Sequence, residues 1–133
     1  MPSPAPFSPG FRMSLLDGFV LVAGAAVAMF AARIEINLGI AVAFTVGHFF
    51  LFCNVVRMER VRELVWTAVF LVLASLTISL QALGWNLTFG ICLAVTAVLV
   101  VIELRSPMYH GIFWRRINPL LEARWQAQGG VLS

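Results

Sequence analysis

Four proline-free apolar runs of about twenty residues each, at 14–32, 36–56, 64–83 and 85–104, leave this chain few ways to fold. At 1.5 Å per residue, a helix of that length crosses the roughly 30 Å hydrocarbon core of a bilayer. Lipid offers no partner to a free amide, so a crossing segment must close its own hydrogen bonds as an α-helix. A water-soluble fold fails on area. Of the 133 residues 61% are hydrophobic and 11% charged, against roughly 45–50% and 25% in a soluble domain. A chain this short has too little interior to hide the excess. The expected fold is an all-α integral membrane protein, a four-transmembrane-helix up-down bundle with a C-terminal amphipathic interfacial helix. One domain is expected, with a disordered Pro-rich lead at 1–13, the transmembrane helices at 14–104 and a basic amphipathic cytoplasmic tail at 105–133.

Arginine placement gives the direction of insertion. The nine basic residues are all arginine, and the formal net charge is +3; the lack of lysine reads as a GC-rich genome rather than mechanism. They flank the apolar runs instead of forming one patch, so no nucleic-acid partner is expected. Arg12 precedes the first run, Arg57, Arg60 and Arg62 crowd the 57–63 connection, and Arg105, Arg115, Arg116 and Arg124 follow the last run. Arg33 alone falls on the opposite side. Arginine-rich flanks stay on the cytoplasmic face. Both termini and the 57–63 connection are thus expected in the cytoplasm, with the chain in the inner membrane of a bacterial cell. Gly84-Trp85-Asn86 makes a tight outer turn, and connections this short make sequential helices neighbours. Trp85 and Trp66 read as interfacial aromatics at the outer and inner headgroup levels.

The first run has a basic residue before it and Ala-Val-Ala at 26–28, as a cleaved signal peptide would. It is longer than an ordinary signal h-region and contains Asp17, so a retained helix is expected. In the tail, Ser106-Pro107 reads as an N-cap followed by proline at the first helical position. Tyr109, Ile112, Phe113 and Ile117 recur at helical spacing, and Asn118-Pro119 restarts the pattern. A broken amphipathic helix in the interface is expected, with Trp114, Arg115, Arg116, Arg124 and Trp125 touching lipid headgroups or a partner protein.

Two stripes of small residues stand out: Gly24 and Ala28 (with Ala32) in the first run, and Gly39, Ala43 and Gly47 in the second. Small residues at this interval let helix backbones approach closely. The stripes fit either the hairpin of the first two helices packing on itself or a contact in an oligomer. Asn54 follows on the glycine face and could bond across that contact.

The intramembrane polar candidates are His48, Asn54, Asp17, Glu103 and Thr96. Thr88, Cys92, Thr96, Leu99 and Glu103 share an arc of about 80° at 100° per residue, so that side of the fourth helix should face protein. It serves either as helix–helix glue, through hydroxyls bonded to their own i−4 carbonyls, or as a polar path ending in a carboxylate. Asp17 and Glu103 stand near the cytoplasmic end with Arg12, Arg57 and Arg105, as a salt-bridge ring or a proton relay. His48 is an ionisable group at membrane depth. Its expected partners are Ser75, Thr77 or Ser79, and a bis-histidine haem would need His110, which lies beyond the last span. Cys53 and Cys92 fall within spans and support neither a disulfide framework nor a CxxC metal site.

The sequence holds no HExxH, P-loop, GxSxG or dinucleotide loop. No catalytic residue, metal or cofactor is expected. The leading expectation is a non-enzymatic accessory, assembly or regulatory subunit whose partners are the bilayer and either further copies or a larger membrane protein. The alternatives are a small oligomeric transporter or channel using His48, Asp17 and Glu103, and a haem- or quinone-associated redox subunit.

Overall fold

The computed structural model describes residues 7–81 and 83–129, and every regular element among them is helical. α1 spans Leu15–Ile34, α2 Ile36–Phe50, α3 Arg60–Leu80 and α4 Trp85–Leu104, with short α5 at Trp114–Ile117 and α6 at Leu121–Ala127. Four of the helical segments are long and apolar enough to cross a membrane, and at most 28% of any such window is buried within the chain. The rest of that apolar surface has to be covered by something other than the chain.

Local chemistry fixes the ends of the first two helices. Ser14 caps α1 reciprocally: its hydroxyl accepts the Asp17 amide at 3.2 Å, while the Asp17 carboxylate takes the Ser14 N–H at 2.7 Å. A single residue reverses the chain into α2. The Glu35 amide closes α1 onto the Ala31 carbonyl, and its carboxylate caps α2 by accepting Asn37 and Leu38 N–H at 3.0 and 3.1 Å.

α1 packs on α2 and α3 on α4. The α1–α2 seam brings Gly39 onto Ala28 and Ala32, and Gly24 onto Val46. Ala43 and Gly47, expected to extend this seam, are exposed, and a Cβ at Gly47 would meet nothing within 4 Å. Helical geometry explains why. A step of four residues drifts about 40° round the helix, whereas a step of seven drifts only about 20° the other way. The seam therefore runs from Gly39 to Val46 rather than from Gly39 to Gly47.

The two hairpins meet through aromatic rings, Phe44, His48 and Phe52 of the second span against Trp66 and Phe70 of α3 and Phe89 of α4. Trp66, expected at a headgroup boundary, is instead 1% exposed at the centre of the core. α3 also starts a turn earlier than expected, at Arg60, which puts Arg62 and Glu63 on the helix.

The second span is not one continuous α-helix. Over Leu51–Val55 it widens into a π turn, with the Val56 amide reaching the Leu51 carbonyl at 2.9 Å. Arg57 then leaves in the left-handed region at φ 53°. A helix end leaves carbonyls without partners, and here the two ends of the chain supply the donors. The Arg12 amide bonds the Asn54 carbonyl at 3.1 Å and the Ile112 amide bonds the Val55 carbonyl at 2.8 Å. The Gly10 amide in turn bonds the His110 carbonyl at 2.7 Å. The lead expected to be disordered is thus, over residues 7–13, irregular chain pinned to the π turn of the second span and to the tail; residues 1–6 lie outside the described residues.

The tail also departs from expectation. Ser106 and Pro107 open a turn, with the Tyr109 amide on the Ser106 carbonyl at 3.1 Å, and helix appears only at α5 and α6. Tyr109, spaced as a lipid-facing residue, is fully buried and its hydroxyl donates to the Ile112 carbonyl at 2.8 Å. Gly111 lies so close to the Val56 carbonyl and the Tyr109 ring that no side chain fits there.

Candidate functional site

The buried face of α4 consists of Thr88, Cys92, Thr96, Leu99 and Glu103, the residues that share one arc by periodicity. α3 opposes them with a matching stripe of Arg62, Trp66, Phe70 and Thr77. In a tight antiparallel hairpin, residues equally far from the middle of the connection come level. The Thr77 and Thr88 hydroxyls meet at 2.6 Å, the Trp66 indole N–H donates to Thr96 Oγ1 at 2.8 Å, and the Arg62 guanidinium holds Glu103. Each step is closed locally. Thr77 and Thr96 donate to the Leu73 and Cys92 carbonyls, both at 2.8 Å, which leaves their lone pairs to accept from Thr88 and Trp66. Among the described residues no hydrogen bond joins one of these pairs to the next, so the polar groups form three islands rather than a continuous chain.

His48 stands on the opposite wall. Its Nδ1 lies 2.7 Å from the Phe44 carbonyl; a carbonyl only accepts, so Nδ1 carries the proton. The ring stacks on Trp66 at 4.6 Å and 15° and faces Phe44 at 4.2 Å. Ser75, Thr77 and Ser79, its expected partners, lie further along α3, and Thr77 is engaged by Thr88. His110 sits beyond α4 with its own Nδ1 at 3.0 Å from the Met108 carbonyl. The structure does not bring the two histidines together.

The charged groups are arranged otherwise than as a ring. Glu103, 5% exposed, pairs with Arg62 rather than Arg57 or Arg105, and Arg62 also lies 3.6 Å from Glu59. Asp17 is engaged in the α1 cap. Asn54 donates from Nδ2 to the Arg12 carbonyl at 2.8 Å, which ties the second span to the lead, and its side chain also hydrogen-bonds the Asp17 carboxylate of α1. Arg57 donates to the Ser8 carbonyl; burial, and then the like charge of Arg12, push its pKa below the usual guanidinium range. Burial, and next the Glu103 charge, push the Tyr109 phenol up. Cys53 donates to the Glu63 carboxylate at 2.6 Å, and both cysteines are free thiols. Among the described residues no group of His, Cys, Asp and Glu has metal-site geometry.

In the tail, Arg124 is drawn inward, donating to the Pro107 carbonyl at 2.9 Å and to Asn118 Oδ1 at 3.0 Å. Asn118, buried, donates to the Pro107 carbonyl at 2.7 Å. Arg115 and Arg116 stay exposed, Arg115 over the Trp114 ring at 5.5 Å. Trp114 and Trp125 both contact Phe7. Arg62, Tyr109 and Asn118 were not singled out by sequence. Arg62 was legible in retrospect, because it is the basic residue level with Glu103 across the hairpin; Tyr109 and Asn118 gave no such signal. No family model, curated protein or solved structure matches this chain.

Proposed function

We infer that this is a polytopic membrane protein that acts without catalysis, as an accessory, assembly or regulatory subunit of a larger membrane complex. The observation that carries this is the outward step formed by Ala43 and Gly47, which the α1–α2 seam leaves exposed. On the far side of α1 from that seam, Phe19, Val22 and Phe30 are 70%, 72% and 68% exposed. Small residues at Ala43 and Gly47 give a further helix a close approach within lipid, where packing rather than hydrophobic transfer drives association. The interior polar groups, by contrast, are engaged with one another.

In this reading the lead, the 57–63 connection and the tail lie on the cytoplasmic side of a bacterial inner membrane, because that end carries all the arginines except Arg33. Arg115 and Arg116 face lipid headgroups there. The test is purification of the full chain in mild detergent, wild type beside Ala43→Ile and Gly47→Ile. A stoichiometric companion or second copy retained by wild type and lost from both variants, with unchanged melting, supports the proposal. Bare monomer from every mild detergent overturns it. Reporter fusions at Arg60 that mark the exterior would overturn the orientation alone.

One observation favours a transport reading as second choice: a buried carboxylate, Glu103, paired with half-buried Arg62, stands at the end of the α4 stripe. Proton or ion flux in proteoliposomes that disappears with Glu103→Gln would install it. No flux across a broad ion panel removes it.

A further inference from the structure

Where the lead, the α2–α3 connection and the tail converge, they enclose a cavity of about 260 Å3. Met108 and Leu121 give it apolar walls, and its polar groups come from Ser8, Arg57, His110 and Trp125. None of the lining residues is acidic. Two features show that this donor set is incomplete as it stands. The Trp125 indole Nε1–H is buried and has no hydrogen-bond partner, although a buried indole N–H ordinarily finds one. Among the described residues no carboxylate lies within ion-pair distance of Arg57, while Arg12 adds a second positive charge nearby. Arg57 moreover holds its position through a left-handed backbone, at φ 53°, that a residue with a side chain seldom adopts. The guanidinium keeps free N–H groups beyond the one on Ser8, since it has five donors in all. On His110, Nδ1–H is spent on the Met108 carbonyl, and the bare Nε2 of a neutral ring is an acceptor, so this ring is not counted among the anion's donors.

We propose that this cavity binds a phosphate-bearing anion, held by the Arg57 fork and the Trp125 indole N–H, with its less polar portion against Met108 and Leu121. A guanidinium fork matches phosphate oxygens geometrically. The same chemistry is presented by an anionic phospholipid headgroup and by free phosphate or a soluble phosphoester. At the end of the membrane-spanning helices, the headgroup is the source nearest to hand. The proposal goes beyond the subunit reading and is separable from it, since companion binding through Ala43 and Gly47 survives an empty cavity.

The test titrates the full chain in maltoside micelles with short-chain phosphatidylglycerol and, separately, with inorganic phosphate, reading bound ligand by native mass spectrometry. Tighter binding of phosphatidylglycerol identifies a lipid; tighter binding of phosphate identifies a soluble source. Arg57→Gln and Trp125→Phe are each expected to weaken the tighter ligand about tenfold or more, the loss of one charge-assisted or otherwise buried hydrogen bond. Trp125→Phe keeps the apolar ring, and Arg57→Lys, which keeps the charge but loses the fork, should fall between wild type and Arg57→Gln. Replacing exposed Arg115 and Arg116 by Gln should leave the affinity within about twofold, as expected for solvent-screened charges. Binding of neither ligand overturns the proposal. So does a loss with the Arg115 and Arg116 changes as large as with Arg57→Gln, which would mark diffuse surface attraction.

Discussion

Gly39 and Gly47 lie on one helix two turns apart, and the same substitution at the two should have opposite effects. A Cβ at Gly39 would stand 2.7 Å from the Ala28 carbonyl oxygen and from the Ala32 Cα. Both obstacles are backbone and cannot swing aside, so α1 and α2 must separate along their seam. Overpacking of this kind costs about 1–3 kcal/mol, set against a gain of up to about 1 kcal/mol for replacing glycine in a helix. Gly39→Ala should therefore destabilise by up to about 2 kcal/mol. At Gly47 the added methyl meets nothing, so only the helix term remains and the change stabilises by up to about 1 kcal/mol. Gly24→Ala falls between them. Its Cβ would meet the Val46 methyls at 2.8 and 2.9 Å, and Val46→Ala should restore most of the loss, as a double-mutant cycle would register. Reversible unfolding in mixed micelles by SDS titration, followed by far-UV circular dichroism, gives the three values. Effects of the same sign and size at Gly39 and Gly47 would refute the seam and restore the four-residue stripe.

Arg62→Met should destabilise by about 3 kcal/mol by leaving the Glu103 carboxylate buried without its partner, while adding Glu103→Leu should recover most of that loss in the same unfolding assay. Trp66→Phe removes the indole donor to Thr96 but leaves the Thr96 hydroxyl on the Cys92 carbonyl, so a loss of about 1–2 kcal/mol is expected. The Tyr109 phenol titrates above its ordinary value of about 10 in the folded chain. The unfolded chain therefore ionises first, and the stability Tyr109 contributes is present below that pH and lost as pH rises through the folded value. Limited proteolysis of the tail should accelerate in that alkaline window, and Tyr109→Phe should flatten the response.

The four apolar helices were legible because a run of about twenty apolar residues has one outcome in lipid, and the boundaries of α4 follow directly from it. The buried stripe of α4 was legible for a related reason: Thr88, Cys92, Thr96 and Glu103 repeat at helical spacing among residues that tolerate lipid. What periodicity could not carry was drift. Gly39, Ala43 and Gly47 look like one stripe in the sequence, yet the contact follows a seven-residue step. Trp66 was read from its place near a span end, whereas its ring faces the protein core, stacked on His48 and Phe70 and bonded to Thr96. The π turn at Leu51–Val55 has no glycine or proline to announce it. It is explained only by the carbonyls it turns toward Arg12 and Ile112, and those partners are remote in sequence. The tail failed for the same reason: Tyr109 and Gly111 answer to Val56 and Ile112, not to their own periodicity.

The splice of the segments before α1 and after α4 onto the close of the second span has a bearing on how the protein is made. The lead reaches Asn54 as soon as the first hairpin has been synthesised, but the Val55 carbonyl waits for Ile112, which emerges after all four long helices. Closing that helix end therefore waits until α4 has been made. A chain stopped at Leu104 would keep all four hydrophobic segments and still present an unfinished helix end, an open mark of immaturity for the cell's proteases to find.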